Sequence, residues 1–77
     1  MTYSDIRAGH TYEGRDGKRR RVKAIRNGFE EVPAATCDVS DIEWTPVAGW
    51  SPRSKGGYIF ADLFLRWAVR DVTEETP

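Results

Sequence analysis

Residues 15–26 read RDGKRRRVKAIR, and this stretch decides the fold that the sequence predicts. The Asp16-Gly17 pair supplies the positive φ angles that a tight hairpin turn requires. After the turn, Val22 and Ala24 alternate with charged residues, which is the two-residue period of a strand with one face on a core. We therefore predict a β-hairpin whose second strand runs over residues 19–26.

The same stretch concentrates positive charge. Seven basic residues against one acidic residue give residues 15–26 a formal charge of +6, in a chain whose total is zero. Residues 27–43 carry five acidic side chains and no basic one. A one-sided field of this kind steers a charged partner even when the net charge is small. If the two segments pair within one molecule, the cluster is structural; if they lie on opposite faces, it is a docking surface.

Strand alternation divides the basic residues between two faces. Arg19, Arg21 and Lys23 share one parity with Ile25, and we expect this set to face solvent. Arg20 belongs to the other parity, along the edge of the core. The candidate electrostatic binding residues are therefore Arg19, Arg21 and Lys23.

Further short elements are expected along the chain. The strand and turn signals, in chain order, are a strand around Thr11 and Tyr12, a turn at Asn27-Gly28, a short strand over 29–32, a strand from Val39 to Thr45 and a strand from Tyr58 to Phe60. A helix is predicted over residues 61–69, with Phe60, Phe64, Trp67 and Ala68 on one face and Leu63 beside it. Residues 69–72 either end that helix or form a closing strand.

The predicted fold class is mainly β. We expect a small SH3-like barrel or roll of about five short strands with one short helix near residues 61–69. The alternative is an α+β arrangement with the helix on a curved antiparallel sheet. The length of 77 residues allows one domain over 1–77, with flexible ends at 1–5 and 73–77.

A long connection from Thr45 to Gly57 is the second candidate site. Trp50 lies there between glycine and serine-proline, and Arg53 and Lys55 are close by in sequence. A tryptophan beside cations is typical of residues that contact a protein or a nucleic-acid base. The alternative is that Trp50 folds back to plug the barrel mouth. Trp44 and Trp67 share faces with apolar residues and are expected in the core.

The residue inventory argues against catalysis and metal binding. His10 and Cys37 are the only histidine and cysteine, so neither a disulfide within the chain nor a structural zinc site is expected. Asp38, Asp41 and Glu43 lack a glycine-containing calcium loop and are interpreted as a solvated strand face. We predict no catalytic residue, no metal and no cofactor.

The sequence predicts a cytoplasmic protein that does not contact a membrane. Its first residues lack the charged and apolar regions of a signal peptide, and no apolar run approaches the ~20 residues that span a bilayer. A single cysteine fits a reducing compartment.

Three short motifs resemble small uncharacterised proteins encoded by bacteriophages and prophages. They are Gly9-His-Thr-Tyr12, Gly17-Lys-Arg-Arg-Arg21-Val22 and Phe64-Leu-Arg66-Trp67-Ala68. The resemblance implies a bacterial or phage context and an accessory role, and it transfers no site residue.

These observations together predict a non-enzymatic binding module that engages a host or phage macromolecule. A protein is the partner that the sequence favours. One alternative is a nucleic-acid-binding protein that uses the basic strand 18–26, and a second is a self-associating structural protein that forms a homo-oligomer.

Overall fold

A computed structural model describes residues 1–75, which contain six strands and one short α-helix. The strands are β1 (Thr11–Gly14), β2 (Arg19–Asn27), β3 (Glu30–Val32), β4 (Asp41–Ala48), β5 (Gly57–Phe60) and β6 (Ala68–Asp71). The helix α1 (Ala61–Trp67) lies between β5 and β6 in the chain, and 3-10 turns occupy Tyr3–Asp5 and Thr73–Glu75.

All strands belong to one antiparallel sheet with the order β5-β4-β2-β1-β6. The nine-residue strand β2 is the central one: β4 pairs along one side of it, and β1 and β3 share the other side. The predicted hairpin turn is confirmed, because Gly17 has a φ of 79° and the Gly14 amide donates to the Lys18 carbonyl at 2.9 Å. Strand β2, which the charged segment forms, therefore lies at the centre of the sheet and pairs with three other strands.

The mainly β class with one short helix is confirmed. The sheet is not closed into a barrel, since β5 and β6, the two ends of the strand order, do not pair with each other in the described part of the chain. The helix α1 instead connects these edges. Six strands form rather than about five, because residues 68–71 pair with β1 as the closing strand that the sequence left open.

A β-bulge corrects the predicted face of Ile25. The register of β2 against β4 shifts between Val22 and Ala24, so one extra residue is inserted and the alternation changes sides. Ile25 therefore pairs with Ile42 and both are fully buried, whereas strict alternation placed Ile25 in solvent.

The core lies on the inner face of the sheet, under α1. Its fully buried members include Val22, Ile25, Ile42 and Phe64. Tyr12 packs edge-on against Phe64 with ring centroids 5.4 Å apart. Trp44 and Trp67, both expected in the core, are half-buried and pack against its margin.

The predicted long connection is shorter than expected. Strand β4 continues to Ala48, so the irregular loop covers residues 49–56 rather than 45–57. Pro46 is tolerated because β5 pairs with β4 only as far as Trp44, which leaves one side of Pro46 without a strand partner.

The helix also ends earlier than expected and buries a narrower face. It ends at Trp67, with Ala61 and Phe64 buried. Phe60 and Leu63 were predicted on the buried face, but Phe60 is 52% and Leu63 49% exposed. Phe60 has extended backbone geometry as the residue before α1, so its side chain follows the alternation of β5. The flexibility of residues 1–5 and 73–77 stays a prediction, and residues 76–77 lie outside the described residues.

Tyr12→Phe tests the hydroxyl group that ties the N-terminal turn to β1. The hydroxyl donates to the Asp5 carbonyl at 2.5 Å and accepts from the Arg7 amide at 2.8 Å. Removing the hydroxyl leaves both backbone groups without this hydrogen-bond partner. We therefore expect a loss of about 1–3 kcal/mol in the free energy of unfolding at neutral pH, measured with urea.

The pH dependence of this difference provides a second readout. Burial raises the pKa of Tyr12 to about 12, although the Arg7 hydrogen bond acts to lower it. An unfolded tyrosine ionises near pH 10, so the stability that Tyr12 contributes is complete below about pH 10 and is lost as the pH rises through 12. The difference between wild type and Tyr12→Phe should shrink over that window. A constant difference would contradict the assignment.

Candidate functional site

The guanidinium group of Arg20 lies among all three tryptophans of the chain. Its central carbon is 4.3 Å from the ring centroids of Trp44 and Trp67, and 5.0 Å from that of Trp50. Arg20 points to the inner face of β2, beyond Val22, so the cation covers one end of the hydrophobic core. We call these four residues the tryptophan–arginine cluster.

Hydrogen bonds fix two of the three rings. The indole N–H of Trp50 donates to the Arg19 carbonyl at 2.8 Å, and that of Trp67 donates to Asp16 Oδ1 at 3.0 Å. Trp50 also packs on Trp44, with ring centroids 5.2 Å apart. The loop tryptophan therefore folds back onto the sheet, as one of the two sequence interpretations expected.

Gly14 makes room for Trp67. A Cβ atom at this position would lie 2.0 Å from Trp67 Cε2, far inside van der Waals contact. The close approach of β1 to the end of α1 thus requires a residue without a side chain at position 14.

The nitrogens of Arg20 have no hydrogen-bond acceptor among the described residues. Nε and Nη1 are buried without a partner, whereas Nη2 is not among the buried atoms. Desolvation lowers the pKa of Arg20, and the nearby charge of Asp16 acts in the opposite direction. The indole N–H of Trp44 likewise has no described acceptor and is not buried. Of these donors, only Arg20 Nη2 and the Trp44 indole N–H are therefore open to a ligand, because Nε and Nη1 are buried.

Lys18 adds a second cation to the same place. Its Nζ lies 4.5 Å from the Trp50 ring centroid. Asp16 is the nearby carboxylate, and although desolvation acts to raise its pKa, hydrogen bonds from the Lys18 amide and the Trp67 indole lower it. This carboxylate thus remains charged and already accepts two hydrogen bonds, so it compensates the local positive charge only in part.

Exposed cations surround the cluster at one end of the sheet. They are Arg15 in the hairpin turn and Arg53 and Lys55 in the loop of residues 49–56. We call this region, with Lys18 and the cluster, the basic end. The acidic side chains of the opposite end are Glu30, Glu31, Asp38, Asp41 and Asp62. The two ends of the sheet therefore differ in charge, although Asp16 lies at the basic end and Arg26 at the acidic one.

The predicted electrostatic residues have three different environments. Arg19 is half-buried and forms ion pairs with Glu13 at 3.2 Å and Glu75 at 3.7 Å. Lys23 lies 3.7 Å from Glu43, which also binds Arg26. Arg21 is exposed and has no ion pair among residues 1–75.

The loop candidates lie together at the basic end. Trp50 is half-buried, and Arg53 and Lys55 are exposed. Sequence reasoning missed Arg20 as a site residue because its parity indicated only a position at the core edge. The sequence did contain a signal: Arg20 shares the inward face of its strand with Val22, and three tryptophans are available to pack against a cation there.

The single histidine and the single cysteine belong to separate hydrogen-bond networks. His10 Nδ1 lies 2.7 Å from Asp71 Oδ2. Cys37 contacts Ser40 in the turn before β4, where a hydrogen bond from the Val39 amide is the largest effect that lowers its thiol pKa. No group of three or more potential metal ligands occurs in the described residues.

Comparisons of the chain with protein-family models, with curated proteins and with solved structures found no match. No helix within residues 1–75 has both the length and the apolar character needed to cross a membrane.

Gly14→Ala tests the packing that supports the cluster. The added methyl group has to displace Trp67, so we expect about 1–3 kcal/mol of destabilisation in urea and altered tryptophan fluorescence. Gly57→Ala is the matched control, since its Cβ meets no atom within 4 Å and its φ is not left-handed. Equal effects of the two substitutions would refute this packing.

Proposed function

We propose that this chain is a non-enzymatic binding module that docks an acidic segment of a partner protein onto its basic end. The resemblance to small phage and prophage proteins supports an accessory role for it in a bacterial cytoplasm. We also propose that its antiparallel sheet, with a short helix before the last strand, is an open roll of the SH3-like kind.

The observation that carries the proposal is the unpartnered guanidinium of Arg20. Leaving a buried N–H group without an acceptor costs about 1–3 kcal/mol, and Arg20 has two such nitrogens. Each cation–π contact returns only about 0.5–2 kcal/mol. A methionine would fill similar space without unpaired donors. Folding therefore gains little from this cation, and Nη2, the one guanidinium nitrogen that is not buried, supports a role for Arg20 in binding an anion.

The surroundings support a protein carboxylate as that anion. Arginine and tryptophan are enriched in the residues that dominate protein interfaces, and a guanidinium group matches the geometry of a carboxylate. Trp44 and Trp67 already contact Arg20 and Trp50 packs on Trp44, so the site is ordered before the ligand arrives. Rigid donors lose little entropy on binding.

Nucleic-acid binding through residues 18–26 is the competing proposal. Ion pairs of Arg19, Lys23 and Arg26 with carboxylates reduce the charge that this strand offers to phosphates. We therefore treat nucleic-acid binding as an outcome of the test.

A titration with short polyglutamate peptide, followed by tryptophan fluorescence, tests the proposed site. All three tryptophans lie in the cluster, so the signal reports on it directly. At about 50 mM salt we expect saturable binding that weakens as salt rises. The double variant Arg53→Glu with Lys55→Glu should bind at least about tenfold more weakly, a loss of about 1.4 kcal/mol.

The matched control is Arg7→Glu, which reverses an exposed cation away from the basic end. It should bind like wild type. No peptide binding at low salt, or equal losses in the control, would contradict the proposal. Tighter binding of oligothymidine or duplex DNA than of the peptide would favour the nucleic-acid alternative.

Arg20→Met separates binding from folding. We expect its free energy of unfolding to stay within about 1 kcal/mol of wild type, because lost cation–π contacts and removed unpaired donors offset each other. Peptide binding should fall at least about tenfold. The role assigned to Arg20 is wrong if the variant binds normally.

A further inference from the structure

Strand β5 forms an open edge of the sheet with an apolar outer surface. Beyond its pairing with β4, residues 57–60 make no backbone hydrogen bond to any other described strand. Tyr58 is 66% exposed and Phe60 52%, on the outer face of the sheet opposite Glu43 and Asp41. Leu63, one helical turn after β5, adds to the exposed apolar surface.

The edge strands β5 and β6 differ in the features that prevent pairing with another chain. Edge strands normally carry charged residues or proline, which discourage pairing with another chain. Strand β6 carries Arg70 and Asp71, and Arg70 is bound by Glu13 and Glu75. Strand β5 has the sequence GYIF, without charge or proline. Strand β3, which pairs only with β2, is also an edge but carries Glu30 and Glu31, so β5 is the edge that is open to strand addition.

We propose that β5 pairs antiparallel with β5 of a second copy of this chain about a two-fold axis. Directly opposed residues in an antiparallel pair point to the same face of a sheet. Of the registers that satisfy this rule, we propose the one in which Tyr58 lies opposite Phe60 of the second copy and Ile59 lies opposite its own counterpart, because it pairs both exposed aromatic residues. This register joins the two sheets and places two Tyr–Phe pairs on one continuous outer face.

Charge complementarity argues for a second copy as the occupant. The chain before β5 carries Arg53 and Lys55. The first turn of α1, after β5, carries Asp62, whose amide donates a hydrogen bond to the Asp38 carbonyl. Antiparallel pairing brings the basic start of one β5 alongside the acidic end of the other. Because the axis repeats each contact, the complementary charges occur twice.

The interface is small, so the expected dimer is weak. A four-residue strand and a few apolar side chains fall at the low end of interface sizes, and we expect a dissociation constant between about 1 µM and 1 mM. This surface lies along one edge of the sheet, and the tryptophan–arginine cluster faces the inner side. Arg53 and Lys55 belong to both surfaces, but the dimer is tested without peptide, so the inference goes beyond the proposed function and its failure is distinguishable from failure of peptide binding.

Sedimentation equilibrium of the full chain over a wide concentration range tests the proposal. Wild type should show a reversible monomer–dimer equilibrium. The double variant Tyr58→Lys with Phe60→Lys should raise the dissociation constant at least about tenfold. Both lysines would lie opposite carboxylates of β4, which favours folding, and circular dichroism checks this.

Phe29→Lys is the matched control, because Phe29 is 107% exposed in the turn between β2 and β3, on the far side of β2 from β5. It should dimerise like wild type. A second pair of variants tests the register: Lys55→Glu should weaken the dimer, and the further change Asp62→Lys should restore it.

Three results would overturn the proposal. They are a strict monomer up to about 1 mM, a dimer that survives the two lysines in β5, and a dimer lost equally in the Phe29 control.

Discussion

The contacts of the Arg20 guanidinium with Trp44 and Trp67 are where the central strand, its neighbour β4 and the end of α1 meet. Trp44 comes from β4 and Trp67 from the end of α1, and both meet a cation from the central strand. Trp67 also binds Asp16 of the hairpin turn. One cation thus contacts β4, the end of α1 and the loop of residues 49–56, although its unpaired donors offset much of the stability that these contacts supply.

The distribution of charge depends on the same strand. On the outer face, β2 lies between carboxylates, and Glu13 and Glu43 neutralise Arg19, Lys23 and Arg26. The basic and acidic segments thus pair in part, which makes much of the +6 cluster structural. Arg15, Arg53 and Lys55 are exposed at the basic end, and Glu30, Glu31 and Asp38 are exposed at the opposite end. A chain of zero net charge consequently has two unlike ends.

Local signals in the sequence predicted those features that depend on local chemistry. The Asp16-Gly17 turn, the strand from Arg19 and the helix start at Ala61 follow from turn residues and periodicity. The bulge after Val22 could not be predicted, because an inserted residue depends on the register of β4 and leaves no mark in β2 itself. Ile25 was misplaced for that reason. The continuation of β4 through Pro46 was also missed, because proline normally ends a strand that is paired on both sides.

The candidate site was half predictable. Trp50, Arg53 and Lys55 stood out as a loop with aromatic and cationic residues. Arg20 did not, since alternation says which side of a strand a residue faces but not what meets it there. Three tryptophans distant in sequence converge on it only through the pairing of β2 with β4 and the packing of Trp67 over Gly14.

The indole N–H signals of the three tryptophans in a ¹H–¹⁵N NMR titration with the acidic peptide test the central claim most directly. Trp50 and Trp67 donate to protein acceptors, whereas Trp44 has a free N–H beside Arg20. If the cluster is the binding site, the Trp44 signal moves furthest and the Arg20 side-chain signal moves with it. If the peptide instead shifts only the amides of Arg21 and Lys23 and leaves all three indoles unchanged, the cluster is a structural feature and the account is wrong.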